Sequence, residues 1–219
     1  MIVRNSSFIS NSHSFGGAIY FQGNSDLTIV GSNFTQNKAF LGGSIYVQKV
    51  DFKQMSIQIM DCTFSNNSVN GFRPYMSIEY FGGLGGVLCF DLSGSANQTN
   101  ILVSRNIFIG NNASYTEGAG GTLYGFGGAI YIRSGGYFAL TDNIFQANQA
   151  DTIGGCVYCV GSSQFSSKGN TFAQNGFMKG SFMEAKGGAV AVENTNYIDE
   201  NNTYTSKHSP SVRLLKFYI

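Results

Sequence analysis

Two short motifs alternate along the chain, and this alternation constrains the fold more than any other feature of the sequence. One motif is Phe-x-x-Asn, and the other is a Gly-Gly pair followed by apolar residues. The shortest full repeat, from Phe8 to Phe34, is 26 residues long. A repeat of this length indicates an array of units that bury their apolar faces by stacking on one another. The motifs begin at Phe8, Phe34, Phe64, Phe108, Phe145 and Phe172, and at Gly16, Gly42, Gly85, Gly127, Gly154 and Gly187.

The residues that follow each Gly-Gly pair predict a β-strand. The second and fourth of them are apolar in every copy, as in Ile45 and Val47, and residues two apart share one face of a strand. We expect this aliphatic face to point inward. The first residue is mostly small and the third is mostly tyrosine, so we expect both to point outward. The outward tyrosines, here called the tyrosine column, are Tyr20, Tyr46, Tyr131 and Tyr158.

A second strand precedes each phenylalanine, and a third short segment carries the phenylalanine itself. Three short strands in about 26 residues predict an all-β fold, a right-handed parallel β-helix of about 6–7 coils. Equivalent residues of successive coils would lie about 4.8 Å apart, so phenylalanines would stack and asparagines would form a ladder at a turn. A sandwich or a propeller also has many short strands, but neither easily explains this repeat length with one asparagine column.

The alternation of Phe-x-x-Asn with Gly-Gly-Ala-Ile, as in residues 16–19, resembles the repeats of the chlamydial polymorphic membrane proteins. Similar repeats occur in large surface proteins of other microbes, protists among them. The resemblance covers nearly all of residues 1–204. It implies the passenger domain of a surface autotransporter, a right-handed β-helix that acts in adhesion, and it implies no catalytic residues.

Composition narrows the classes of function. Charged residues make up 11% of the chain and the formal net charge is +1, so no basic surface for nucleic acid or an anionic membrane is expected. No apolar run reaches the roughly 18 residues of a transmembrane helix. The first residues also lack the apolar core of a signal peptide.

We expect one β-helix domain over residues 1–208 and a tail or cap segment over 209–219. Met1 already occupies a strand column, which predicts a first coil without a cap. An uncapped coil presents unpaired strand edges, which favour end-to-end stacking with other chains or indicate a piece of a longer protein.

Three insertions, at about 68–84, 112–126 and 176–186, share the junction between Phe-x-x-Asn and Gly-Gly. They would emerge from one edge of the rod, where aromatic side chains near polar groups suit binding to sugars or to a protein. Alternatively, these side chains fold back over the tyrosine column, which would otherwise be an exposed packing stripe. The candidate binding residues are Phe72, Arg73, Tyr75, Tyr80, Phe81, Tyr115, Tyr124 and Phe126.

Catalytic and metal-binding chemistry is weakly indicated. Cys156 and Cys159 lie within one predicted strand and should point to opposite faces, which disfavours a disulfide or a shared metal. The strongest candidate for carbohydrate chemistry is Asp61 with Asp142, which share a column with Arg105 between them. We therefore expect no metal, no cofactor and no enzymatic activity, and keep a polysaccharide lyase or glycoside hydrolase as an alternative.

Six Asn-x-Ser/Thr sequons are a mild excess over chance and favour an extracellular or cell-surface glycoprotein. We expect a non-enzymatic structural or adhesive protein whose partners are other protein chains or glycans, in a surface or fibre-like assembly. A scaffold subunit of a larger complex is a further alternative. The sequon asparagines are Asn5, Asn33, Asn66, Asn97, Asn112 and Asn201.

Overall fold

The chain folds into stacked parallel β-strands. The computed structural model describes residues 1–49, 54–71, 83–92, 99–115, 125–134, 136–177 and 187–205. These residues contain 27 strands and no helix, and every strand pairing among them is parallel. The all-β class predicted from the repeats is confirmed.

Four principal sheets run along the stack, numbered here in the order in which the chain visits them. Sheet 1 contains β1 (Ile2–Arg4), β4 (Leu27–Val30), β8 (Met55–Met60), β13 (Thr99–Ser104), β18 (Tyr137–Thr141), β22 (Gln164–Lys168) and β26 (Asn196–Glu200). Sheet 2 contains β2 (Ser7–Ile9), β5 (Asn33–Thr35), β9 (Thr63–Ser65), β14 (Ile107–Ile109), β19 (Ile144–Gln146), β23 (Thr171–Ala173) and β27 (Thr203–Thr205).

Sheets 3 and 4 complete each turn of the chain. Sheet 3 contains β6 (Lys38–Ala39), β10 (Ser68–Gly71), β15 (Asn112–Tyr115), β20 (Gln149–Ala150) and β24 (Gly176–Phe177). Sheet 4 contains β3 (Ile19–Gln22), β7 (Ile45–Gln48), β12 (Leu88–Leu92), β17 (Ile130–Ser134), β21 (Val157–Val160) and β25 (Val190–Glu193). A further pair joins β11 (Gly83–Leu84) to β16 (Gly125–Phe126).

Each strand pairs with its own copy in the next repeat. Phe34, for example, pairs with Phe8 on one side and Phe64 on the other. Sheets 1 and 2 each contain seven strands, so the chain makes a parallel β-helix whose seven rungs agree with the predicted 6–7 coils. The three predicted strands of each coil lie in sheets 1, 2 and 4. Sheet 3 was not predicted, because its strands are short and lie in the junction that accepts insertions.

The core contains the columns that the repeats predict. Phe8, Phe34, Phe64, Phe108, Phe145, Phe172 and Tyr204 form one stack, with ring centroids 4.7–5.0 Å apart and interplanar angles of 3–16°. The aliphatic face of sheet 4 and the inward residues of sheet 1 pack beside this stack in one cluster. Apolar side chains in register therefore fill the interior along its length.

The two glycines of each Gly-Gly pair have different roles. The first has a positive φ, +64° at Gly85, which favours glycine. The second needs space, because a Cβ on Gly86 would lie 2.1 Å from the carbonyl oxygen of Gly128 in the next coil. The pair therefore permits both the sharp re-entry into sheet 4 and the close stacking of successive corners.

The small residue after each Gly-Gly pair does not point outward, contrary to expectation. Val87, Ala129 and Cys156 are buried in the main core. The alternation of faces begins only with the strand itself, at Leu88 in β12. The preceding residue lies in a bend, so period-two reasoning does not apply to it. Its small size fits the narrow corner of the interior.

Candidate functional site

Six asparagines form a hydrogen-bonded ladder at the corner between sheets 2 and 3, here called the first ladder. In all but the last, Asn175, the side-chain Nδ2 donates to the Oδ1 of the next asparagine at 2.9–3.1 Å. The same Oδ1 accepts the backbone N–H of the preceding asparagine at 2.9–3.1 Å. The predicted ladder is thereby confirmed for Asn11, Asn37, Asn67, Asn111, Asn148 and Asn175.

The ladder explains why phenylalanine and asparagine stand three residues apart. The second hydrogen of the Asn111 Nδ2 group goes to the carbonyl oxygen of Phe64, one coil earlier, at 3.0 Å. Asn67 bonds the carbonyl of Phe34 in the same way, at 2.9 Å. A buried amide with both donors and its acceptor satisfied carries no desolvation penalty for unpaired groups, which is why these polar residues stabilise the interior.

A second ladder lies at the corner between sheets 1 and 2, and sequence reasoning missed it. Its amides are linked by Nδ2–Oδ1 bonds of 2.9–3.0 Å. The sequence signal is an asparagine two residues before the aromatic residue of the phenylalanine stack. The first three coils lack this asparagine. The members of the second ladder are Asn106, Asn143, Asn170 and Asn202.

Most of the tyrosine column is covered by the protein itself. Tyr46, Tyr131 and Tyr158 are 4%, 6% and 8% exposed, whereas Tyr20 is 46% exposed. The buried three belong to a second apolar cluster that lies outside the main core. The residues that accompany them include several that precede a Gly-Gly pair: Phe15, Leu41, Leu84, Phe126 and Ile153. Of the two alternatives for this column, the exposed stripe is therefore found only at Tyr20, and the covered alternative holds for the other three.

The hydroxyls of the tyrosine column bond across coils. Tyr20 donates to Gln48 Oε1 at 2.9 Å, and Tyr158 donates to the carboxylate of Glu193. Burial raises the pKa of Tyr46, Tyr131 and Tyr158 above the ordinary value for tyrosine. These phenols therefore remain protonated donors, and the column acts as a packing element.

The proposed aromatic loops fall mostly outside the described residues. Phe72, Arg73, Tyr75, Tyr80, Phe81 and Tyr124 lie outside that part of the chain, as does the side chain of Tyr115. Phe126 is described, and its ring centroid lies 5.6 Å from that of Tyr158 at an interplanar angle of 47°. Phe126 thus covers the tyrosine column, as the alternative interpretation of the insertions expects.

Asp61, Arg105 and Asp142 occupy one corner position in successive coils, as predicted. All three have positive φ angles, of 55°, 53° and 55°. Arg105 holds both carboxylate oxygens of Asp61 at 2.8 Å, and the hydrogen bonds from the guanidinium lower the pKa of Asp61. A carboxyl group held ionised in this way is poorly suited to be the proton donor of a hydrolase.

The four cysteines are buried free thiols. The prediction that Cys156 and Cys159 point to opposite faces is wrong, because both lie in the main core. Cys156 precedes β21 and occupies the bend, so it does not alternate with the strand. Burial raises the pKa of Cys159 to about 11, so this thiol stays protonated at neutral pH. Among the residues described, no three His, Cys, Asp or Glu side chains form a candidate metal site.

The sequons differ in accessibility. Asn5, Asn33, Asn66 and Asn201 are exposed, whereas Asn112 is half-buried with its Oδ1 atom buried and unpaired. Asn97 lies outside the described residues. A glycan could therefore attach at four of these asparagines without disturbing the rungs.

A shallow groove of about 280 Å³ lies on the outer face of sheet 1. Tyr137 lines it and is 51% exposed. Polar side chains surround this ring, and the register places Asn100 and Gln164 on its two sides. Sequence reasoning missed this surface because its outward positions carry no repeated residue type.

Comparison with family models, curated proteins and solved structures finds no match to this chain. Within the described part of the chain, no helix is long and apolar enough to reach across a lipid bilayer.

Proposed function

We propose that this chain is a non-enzymatic structural or adhesive element of a cell surface or an extracellular assembly. The observation that supports the proposal best is the unbroken register of seven rungs in sheets 1 and 2. Stacked rungs with satisfied buried amides make a stiff rod, and a stiff rod holds its surface groups at fixed spacing. Display of binding groups along such a rod is the mechanism of adhesion that we infer.

The outer faces suit contact with other macromolecules in water. The exposed sequons at Asn33 and Asn66 are compatible with an extracellular location. Three charged pairs lie on the described part of the rod, Arg105–Asp61, Arg133–Asp91 and Lys168–Glu200, at 2.8, 3.0 and 3.6 Å. Paired charges leave little net field, so we expect partners that are protein chains or glycans and not nucleic acid.

Adhesion is tested with beads that carry the folded chain. The beads are applied to cultured cells and to extracellular-matrix films, and detachment is measured under flow. We expect retention above that of albumin-coated beads, and loss of retention when the chain is heated through its unfolding transition before coating. Light scattering of the same material measures assembly. A monomer whose beads are retained by no surface would contradict the proposal.

The enzyme alternative has its own assay. A polysaccharide lyase or hydrolase would release new reducing ends from a panel of plant, bacterial and animal polysaccharides. Asp61→Asn would abolish that release if the Asp61–Arg105–Asp142 column were catalytic. We expect no release by the native chain, because Asp61 is held as a carboxylate by Arg105.

A further inference from the structure

The outer face of sheet 1 carries a column of polar residues in which one aromatic ring, Tyr137, has an amide side chain on each side. Strand pairing places Ser56 beside Asn100, Asn100 beside Tyr137, and Tyr137 beside Gln164. Pairing of β22 with β26 continues the column to Asn196. Successive members lie about 4.8 Å apart along the rod because they belong to adjacent strands.

The amides of this column are available for binding, unlike those of the ladders. Among the described residues, the side chains of Asn100 and Gln164 have no hydrogen-bond partner, and neither does that of Gln58, which lines the groove beside the column. By contrast, the exposed amides of sheet 4 bond each other, since Gln22 Nε2 donates to Gln48 Oε1 at 3.3 Å. Each free amide offers both donors and an acceptor, which is what a pair of neighbouring sugar hydroxyls requires.

The ring supplies the apolar part of such a site. Tyr137 is 51% exposed at the groove, and it is flanked by the apolar side chains of Leu102 and Ala139. An aromatic face covers the C–H face of a sugar ring, and its hydroxyl end remains in water. One exposed ring with a few polar groups around it has the composition of a site that orients a ligand through a small number of hydrogen bonds.

The lack of charge in the groove favours uncharged ligands. None of the described residues that line it is charged. An anionic polysaccharide or an acidic peptide would find no cationic partner there. The spacing of the column is close to the length of one sugar unit in an extended chain, so successive units of a ligand along the rod would lie beside Asn100, Tyr137 and Gln164 in turn.

We propose that the outer face of sheet 1, centred on Tyr137, binds an extended and uncharged oligosaccharide that lies along the rod. Tyr137 stacks on one sugar ring, and Asn100 and Gln164 bond hydroxyls of that unit and its neighbours. This inference rests on the proposed adhesive function, because it names the class of partner that adhesion would use.

The test measures binding of the full chain to defined probes by calorimetry and on an array. The uncharged probes are cellohexaose, chitohexaose and a mannohexaose, and the anionic probes are heparin and oligogalacturonate fragments. We expect at least one uncharged probe to bind and Tyr137→Ala to weaken it by about tenfold or more, since the variant loses most of the stacked apolar area. Tyr137→Phe, which keeps the ring, should bind within about threefold of the native chain.

Tyr20→Ala is the matched control, because Tyr20 is 46% exposed and lies on sheet 4. It should leave affinity unchanged, and thermal unfolding should show that all three variants fold. Binding of anionic probes alone, binding of none of the probes, or equal affinity in Tyr137→Ala would overturn the inference. If beads still adhered to cells in any of those cases, the adhesive function would stand and only the glycan site would fall.

Discussion

The two asparagine ladders use one hydrogen-bonding scheme but extend over different parts of the rod. The first ladder runs through six coils, from Asn11 to Asn175. The second begins only at Asn106 and ends at Asn202. In the earlier coils the same corner position holds smaller residues: Ser6, Ser32 and Cys62.

This difference separates what the stack requires from what adds stability. Ser6 donates its backbone N–H to Ser32 Oγ at 3.1 Å, and Ser32 donates its own to Cys62 Sγ at 3.4 Å. Sheets 1 and 2 keep their register through these coils. An acceptor for one backbone N–H is therefore sufficient for stacking. The asparagine amide adds two donors that join neighbouring coils more firmly.

Removal of an amide from the middle of either ladder should have the largest effect. Asn111→Leu keeps the number and branching of the side-chain heavy atoms but deprives the N–H and Nδ2 groups of Asn67 and the carbonyl of Phe64 of their partner. Because these groups are buried, we expect a loss of about 3–5 kcal/mol in the free energy of unfolding. Asn143→Leu should cost a similar amount, since its bonds are equivalent. Urea denaturation measures both.

Asn33→Leu is the control for that pair, because Asn33 is exposed on β5 and belongs to neither ladder. Its effect should stay within about 0.5 kcal/mol. A cost at Asn143 as small as that at Asn33 would mean that the second ladder adds nothing to the stack.

A smaller effect is expected where the second ladder is already incomplete. Ser32→Ala removes the acceptor of the Ser6 N–H and the donor to the Val30 carbonyl. Ser6 is half-buried and can turn to water, so we expect a loss of about 1 kcal/mol, measured by the same denaturation. A loss of unfolding free energy as large as that of Asn111→Leu would show that serine stabilises this corner as much as asparagine does.

Extension of the second ladder by one coil should stabilise the rod modestly. Cys62 Sγ lies 3.1 Å from the carbonyl of Met60 and 3.9 Å from that of Ile29. In Cys62→Asn, the new Nδ2 group would donate to the carbonyl of Ile29 and to Asn106 Oδ1. Asn106 itself donates in the same way to the carbonyl of Ile59 and to Asn143 Oδ1. We expect a gain of about 1 kcal/mol in unfolding free energy. A loss instead would show that this coil is too narrow for the larger side chain.

The regular columns could be predicted from sequence because each is set by one repeated residue type. The Phe stack, the first ladder and the Gly-Gly corners appear in six copies, so their register follows from spacing alone. The second ladder was not predicted because asparagine occupies its position in only four coils, at Asn106, Asn143, Asn170 and Asn202. In the earlier coils serine and cysteine accept the backbone hydrogen bond at this position. A search for one repeated residue type therefore does not find the column.

Burial outside the main core was harder to predict. The tyrosine column points away from the aliphatic face of sheet 4, as expected, but Tyr46 and Tyr131 are buried. Leu41, Leu84 and Phe126 cover them from the segments before each Gly-Gly pair. Those segments belong to the junction of variable length, and variable spacing hides their common position. The groove at Tyr137 was not predicted for a related reason. Asn100, Tyr137 and Gln164 occupy equivalent positions but differ in residue type, so no repeat indicates them.

The smallest effect concerns the charged residues that precede the second ladder. Arg105, next to Asn106, lowers the pKa of Asp61 by hydrogen bonding to its carboxylate. A carboxyl group with a lowered folded-state pKa adds stability above its unfolded pKa of about 4, and that stability is lost as pH falls through the folded value. Both side chains are exposed, so water and salt screen the pair.

Arg105→Gln should therefore raise the pKa of Asp61 toward its ordinary value, which carboxyl-carbon NMR measures directly. The stability difference between native and variant chains should be small at neutral pH and vanish as the pH falls below about 3. Lys168→Gln, which removes a partner from Glu200 at 3.6 Å, should leave the Asp61 titration unchanged. If Asp61 titrated identically with and without Arg105, the corner charges would be independent of each other. The second ladder would then differ from the first only in the coils over which it extends, and charge at its outer corner would have no part in the stability of these coils.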